Sequence, residues 1–290
     1  MSRAEALAPR TGRRPQTAAG FLALFRNELH LTFRRLRTKV LLGILAVLPV
    51  LIGVVVKLNT DSPHEGGGPS FIAQTTQNGL FLVFTALAVA LPVFLPMTVG
   101  VVAGDSVAGE AATGTLRYLL VAPAGRTRLL AAKFTAGLVF CLAATAAVAA
   151  AALATGAALF PLGEVTLISG DTIGFTEALL RAVLVAGVVA ASLAGLVAIG
   201  LFVSTLTGSG IAAMATTVGL VITVQILDAF PQLDAIRPFL FTHYWLSFSD
   251  LLRQPMYWDD VLKNLGLQAA YVAVFGSAAW SRFTSRDISA

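Results

Sequence analysis

The chain has 290 residues, of which 57% are hydrophobic and only 12% charged, with a formal net charge of +5. A soluble domain is nearer a quarter charged, so this composition excludes an ordinary water-soluble globule and points to an all-α polytopic membrane protein. The pI of about 9.8 does not indicate a nucleic-acid partner, because the basic residues flank apolar runs, where cytoplasmic Lys and Arg set topology.

Residues 1–20 carry Arg3, Arg10, Arg13 and Arg14 around no apolar centre. They are expected to form a disordered cytoplasmic tail, not a cleavable signal peptide. Residues 21–38 predict an amphipathic helix, with Phe21, Phe25, Leu29, Phe33 and Leu36 on one stripe. Arg26, His30, Arg34, Arg35 and Arg37 lie on the other faces, as in a helix resting in the membrane interface.

Six spans are expected in residues 39–290, beginning with 40–56, between Lys39 and Lys57 and containing Pro49. A polar loop over 57–79 follows. There the neighbours His64 and Glu65 are too few to hold a metal, which needs three or four converging ligands. The second span, 80–103, contains Pro92 and Pro96 and is expected to bend, with neighbouring groups satisfying the freed carbonyls.

Residues 104–133 read as a cytoplasmic loop too charged to cross, holding Asp105, Glu110, Arg117, Arg126, Arg128 and Lys133. Within it a short amphipathic helix is expected. Glu110 opens it at the positive helix end, Leu116, Leu119 and Leu120 form its apolar stripe, and Pro123 with Gly125 stops it. The third span, 134–159, is alanine-rich and contains the single cysteine, Cys141, which reads as a packing residue.

A short loop over 160–178 leads to the fourth span, 182–203. Its Ala182, Ala186, Ala190, Ala194 and Ala198 make a small-residue ridge suited to close helix approach. The turn 204–210 precedes the fifth span, 211–227. Residues 228–263 form an aromatic external segment with Tyr244, Trp245, Tyr257 and Trp258, expected to dip partly into the bilayer before the sixth span, 265–280. This layout leaves Lys57, Arg181, Arg237, Arg253 and Lys263 outside and the other 15 of the 20 basic residues inside. Both termini and the 104–133 loop are therefore placed in the cytoplasm.

As drawn, no acid or base sits near the middle of a span, which argues against a carrier working through a buried carboxylate. Serine-type intramembrane proteolysis fits poorly, since His30, His64 and His243 lie at or beyond the interfaces. Lys39, Lys57, Lys133 and Lys263 are followed by Val40, Leu58, Phe134 and Asn264, so no P-loop is present and any ATP hydrolysis needs a separate subunit.

The stretch GDSVAGEAATGTLRYLLVAPAGRTRLLAAKF resembles the signature loop of ABC-2-type permeases, the membrane subunits of ABC exporters. The matching features are Glu110, the Gly114-Thr115-Leu116 element, the helix through Arg117, Pro123, and the basic Arg126 and Lys133. The segment before the last span also resembles that of actinobacterial members. The resemblance implies a bacterial plasma-membrane protein in which 21–38 is the connecting helix, with Phe25, Arg26, Leu29, Phe33 and Arg34 as its contacts. The helix near 109–122 would be the coupling helix. There Glu110, Gly114, Thr115, Leu116, Arg117, Leu119, Leu120 and Pro123 would meet a nucleotide-binding subunit that holds ATP and Mg. Two permeases, here two copies of this chain, would join two ATPases. The pathway would be lined by spans 1, 2 and 5, with Phe81, Phe84, Phe94 and Met214 as contacts for a small or amphipathic substrate such as a drug, antibiotic, lipid-like molecule or peptide. The alternatives are an ion- or copper-exporting permease of the same design and a membrane anchor that transports nothing. No metal or cofactor is expected in this chain.

Overall fold

The computed structural model describes residues 18–60, 76, 78–112 and 125–285. Long apolar runs offer no water to their backbone N–H and C=O groups in a bilayer, so each run closes its own hydrogen bonds as a helix. The helices are α1 (Ala18–Arg34), α2 (Leu36–Thr60), α3 (Phe81–Ala90), α4 (Phe94–Ala112), α5 (Arg126–Leu159), α6 (Phe175–Ser192), α7 (Ala194–Leu206), α8 (Gly210–Asp228) and α9 (Asp259–Ser285). A small antiparallel hairpin, β1 (Val165–Thr166) and β2 (Thr172–Ile173), pairs Val165 with Ile173. Three 3-10 helices, Pro231–Leu233, Arg237–Phe239 and Trp245–Leu252, fill the stretch between α8 and α9.

Four stretches are long and apolar enough to cross a membrane: Leu36–Leu58, Arg126–Leu159, Phe175–Leu206 and Gly210–Asp228. A fifth is added if α3 and α4, bent by 55° at their break, count as one. α9 is long enough, at 27 residues, but too polar in composition to join them. Two of its polar residues point inward. Asn264 donates to Ser192 Oγ at 2.6 Å, and Gln268 donates to the Phe241 carbonyl at 2.8 Å while accepting from Gly195 N at 3.2 Å.

Several expected boundaries move. The helix expected over 21–38 is two, because Arg35 interrupts it and residues 36–38 belong to α2. Two parts of the expected loop over 104–133 are helical: 104–112 extend α4, and α5 begins at Arg126, eight residues before Phe134. The second span breaks at Leu91–Val93, where Pro92 removes a backbone donor. The carbonyl of Pro92, whose helical donor at position 96 is itself a proline, accepts from Gln225 Nε2 of α8. The fourth span is divided between α6 and α7 at Leu193, the position that the Asn264–Gln268 pair grips from α9.

α2 and α3 pack on α5, α4 packs on α7 and α8, and α9 packs on α7. The apolar centre includes Phe81, Phe84, Leu87, Phe140, Phe241 and Phe248, all almost fully buried. Close approach is greatest between Gly79 and Gly156, where a Cβ on either would fall within 3 Å of the other's backbone. On the alanine ridge Ala182, Ala190 and Ala198 are buried, and the tight contact falls at Gly195, against Gln268 and Tyr271 of α9.

The chain runs back and forth between two ends of the bundle. One end gathers the α1–α2 junction, the last turn of α4, the first turns of α5 and α8, and the end of α9. The other gathers Asn78, the hairpin and the 3-10 segments. There Asn78 Nδ2 donates to the Gly163 and Glu164 carbonyls, and Ile168 N donates to the Leu252 carbonyl. Buried Arg181 of α6 clamps the same end through the Leu251 and Arg253 carbonyls, Glu177 and Gln254.

Candidate functional site

The candidate site is the cluster of charges at the first end. Lys133, about two turns into α5, is almost sealed, with 1% of its side chain exposed. Its Nζ donates to Glu28 Oε2 of α1 at 3.0 Å and to Glu110 Oε1 of α4 at 2.6 Å. Three separate helices thus meet at one ammonium. Beside them Arg35 and Arg37, at the α1–α2 junction, both donate to Asp105 Oδ2 of α4. Arg37 also reaches Met214 Sδ of α8 at 3.3 Å. Three acids face three bases, so the cluster as a whole is neutral; Lys133, Glu28, Glu110 and Asp105 are buried while Arg35 and Arg37 keep about a third of their side chains exposed.

The local sequence makes room for these groups. Gly109 lies directly over the Asp105 carboxylate, and Gly210 at the start of α8 abuts the same carboxylate. A Cβ at either would fall within 3 Å of it. Gly104 lets α4 touch the α8 backbone at Ala213 and Met214. Ser204 of α7 enters the backbone ladder of α4, its Oγ accepting from Val107 N at 3.0 Å and Ala108 N at 2.8 Å.

A cavity of about 30 Å³ lies among Glu28, Arg35, Arg37, Ser106, Glu110 and Lys133, enough for about one water. Glu28 Oε1 and Arg37 Nε are buried without a hydrogen-bond partner among the described residues. The cluster ties α1, the α1–α2 junction, α4 and α5 together. Among the described residues no three His, Cys, Asp or Glu side chains are placed to hold a metal ion.

The expected site residues fall as follows. Glu110 does not open an interfacial helix. It sits in the last turn of α4, 5% exposed. A negative charge there opposes the helix dipole, and Lys133 offsets it. Gly114, Thr115, Leu116, Arg117, Leu119, Leu120 and Pro123 lie outside the described residues. On α1, Phe25 and Leu29 are half-buried, Phe33 packs on Phe140 of α5 with centroids 6.2 Å apart, and Arg26 and Arg34 face outward.

The four expected pathway residues are not brought together. Phe81 and Phe84 are sealed in the core edge to face, 5.6 Å apart. Phe94 lies beyond the break in the second span and Met214 lies beneath Arg37. Sequence reasoning missed Glu28, although its position gave a signal: it falls on the apolar stripe of α1, between Phe25 and Thr32. It also missed Ser204, for which no local signal exists.

The fold and site define a helical protein with four to five helices able to span a membrane and a neutral charge cluster buried at one end. The chain belongs to the DUF2705 family, described as proteins of unknown function, whose model matches residues 44–289. Asp105, Glu110 and Lys133 lie inside that match, and Glu28, Arg35 and Arg37 precede it. No curated protein matches the chain.

Proposed function

We propose that the chain is the membrane-spanning permease subunit of an ATP-driven exporter, energised by a separate nucleotide-binding subunit. The observation that carries the reading is Lys133, held at once by α1, α4 and α5. Residues 113–124 leave α4 two residues after Glu110 and rejoin the fold at α5, seven residues before Lys133. A push on that segment is therefore a push on the two helices whose ends share one buried ammonium with α1. The resemblance of this stretch to the coupling region of ABC-2-type permeases supports the same reading.

In this mechanism the ATPase closes on binding ATP and displaces the 113–124 segment. The displacement moves the last turn of α4, which contacts Ser204 of α7 through Val107 N and Ala108 N, and the Pro92 break lets the rest of α4 tilt against α3. α1, tied through Glu28, follows as the connecting helix. Six crossings, with α9 as the last and both termini cytoplasmic, agree with the charges. Arg26, Arg34, Arg35, Arg37, Lys39, Arg126, Arg128, Lys133 and Arg282 lie at the cluster end, whereas most acids, from Glu164 to Asp260, lie at the other. Two copies with two ATPases would form the working unit, and the cargo is a small or amphipathic molecule.

The test is purification in mild detergent with a nucleotide-binding subunit, followed by vanadate-sensitive ATPase and vesicle export assays. The expected result is a stable complex in which Glu110→Gln retains ATP hydrolysis but loses most export. Recovery of the intact chain without any ATPase, or full export by Glu110→Gln, would instead favour a membrane anchor or a different coupling route.

A further inference from the structure

On the outer side of the same end, α5 and α9 diverge around an open groove of about 200 Å³. It is lined by Leu130, Ala131 and Phe134 of α5 and by Val272, Gly276 and Trp280 of α9. Its chemistry changes in order along the bundle axis. At its mouth Arg126 Nη1 donates to the Thr284 carbonyl at 2.8 Å, joining the two helices. One step deeper Trp280 Nε1 donates to Thr127 Oγ1 at 3.0 Å, its ring half exposed. Below that ring the lining is wholly apolar. From Arg126 to Phe134 is eight residues, about 12 Å of helix, close to the depth of one leaflet's hydrocarbon.

Cation, amphipathic indole, apolar floor is the order of a phospholipid read from phosphate to acyl chain. Trp belongs at the headgroup level, and basic pockets between helices at the cytoplasmic face take anionic headgroups. We propose that this groove binds an anionic phospholipid, with its phosphate at Arg126 and one acyl chain between α5 and α9. The floor is open because residue 276 is glycine: a Cβ there would meet nothing within 4 Å. The bound lipid would brace α5 and α9 at the level of Lys133. The proposal requires the helices to lie in a bilayer and does not depend on the exporter reading.

The experiment uses the full chain with Trp245→Phe and Trp258→Phe, leaving Trp280 as the only one of the three tryptophans. It is reconstituted into phosphatidylcholine vesicles doped with brominated phosphatidylglycerol or brominated phosphatidylcholine, and indole quenching is read. Brominated phosphatidylglycerol is expected to quench at about fivefold lower mole fraction, and high salt to narrow the gap. Arg126→Gln should remove the headgroup preference and keep the quenching. Gly276→Leu, whose Cβ would meet nothing within 4 Å, should weaken quenching by both lipids. Equal quenching by the two lipids would mean an ordinary lipid-facing surface or a neutral occupant and would overturn the proposal. Protection of Trp280 from both would place a protein surface there, a second copy included, and would overturn it as well.

Discussion

Lys133 is the residue on which the charged end depends. Buried ion pairs gain little net stability, but stripping out one partner is costly because the remaining charge stays in a dry site. Here the loss would strand two carboxylates, Glu28 and Glu110, 5% and 7% exposed at their side chains. Lys133→Ala is expected to destabilise the fold by about 3–5 kcal/mol, read as a lowered melting temperature in detergent. Lys133→Met combined with Glu28→Gln and Glu110→Gln should recover most of it, since no charge is then left unpaired. An unchanged melt for Lys133→Ala alone would mean that water reaches the carboxylates freely. A second residue-scale requirement is steric. Gly79 and Gly156 bring their backbones into direct contact, so Gly156→Ala should sharply reduce the yield of folded protein. Gly187→Ala, at a glycine with nothing within 4 Å, is the matched control and should have no effect.

At the scale of elements, α4 carries two weaknesses in one helix. Just before its start Pro92 breaks the ladder, and Gln225 of α8 donates to the Pro92 carbonyl, which Pro96 has no N–H to reach. Near its end Ser204 of α7 takes the amides of Val107 and Ala108. A buried backbone donor left without its acceptor costs about 1–3 kcal/mol. Ser204→Ala should therefore lower stability by about that much, whereas Ser204→Thr, which keeps the hydroxyl, should not. If Ser204→Ala melts like the parent, α4 closes its own ladder and the serine merely follows an ordinary helix. α9 shows the converse arrangement. The sequence places a sixth span at 265–280 within it, yet it is not among the four stretches long and apolar enough to cross; Asn264 and Gln268 spend their polar groups on Ser192, Gly195 and Phe241, so its polarity fastens it to the break between α6 and α7.

For the whole molecule, the alternating run between the two ends predicts which loops share a side of the membrane. Cys141 is 1% exposed and can be replaced by serine to give a thiol-free background. In that background Glu164→Cys, in the exposed turn after α5, should react with an impermeant maleimide on intact cells. Ser285→Cys, at the end of α9, should react only after permeabilisation. Labelling of both from the same side would remove one crossing from the proposed six and would free α9 from a spanning role.

The sequence alone settled the solvent of this protein. Few charges, long apolar runs and basic flanks require helices, because a backbone without water must pair with itself. It also marked the second span as bent through Pro92 and Pro96 and Glu110 as a residue of interest, since prolines in a span and an acid at the edge of an apolar run act locally. It did not give the length of α4. Gly104 and Asp105 read as loop, and Gly109 and Glu110 as the start of a separate short helix, because in isolation glycine and carboxylate disfavour an apolar helix. They become helical because Gly210, Ala213, Arg35, Arg37 and Lys133 arrive from elsewhere in the chain to fill the glycine gaps and neutralise the acids. The same holds for the break at Leu193, which has no proline or glycine of its own and is set by contacts from α9. Lys133 and Glu28 are 105 residues apart. Their meeting is decided only when α1 and α5 pack, because a charge is stable out of water only beside its opposite, and tertiary structure chooses that neighbour.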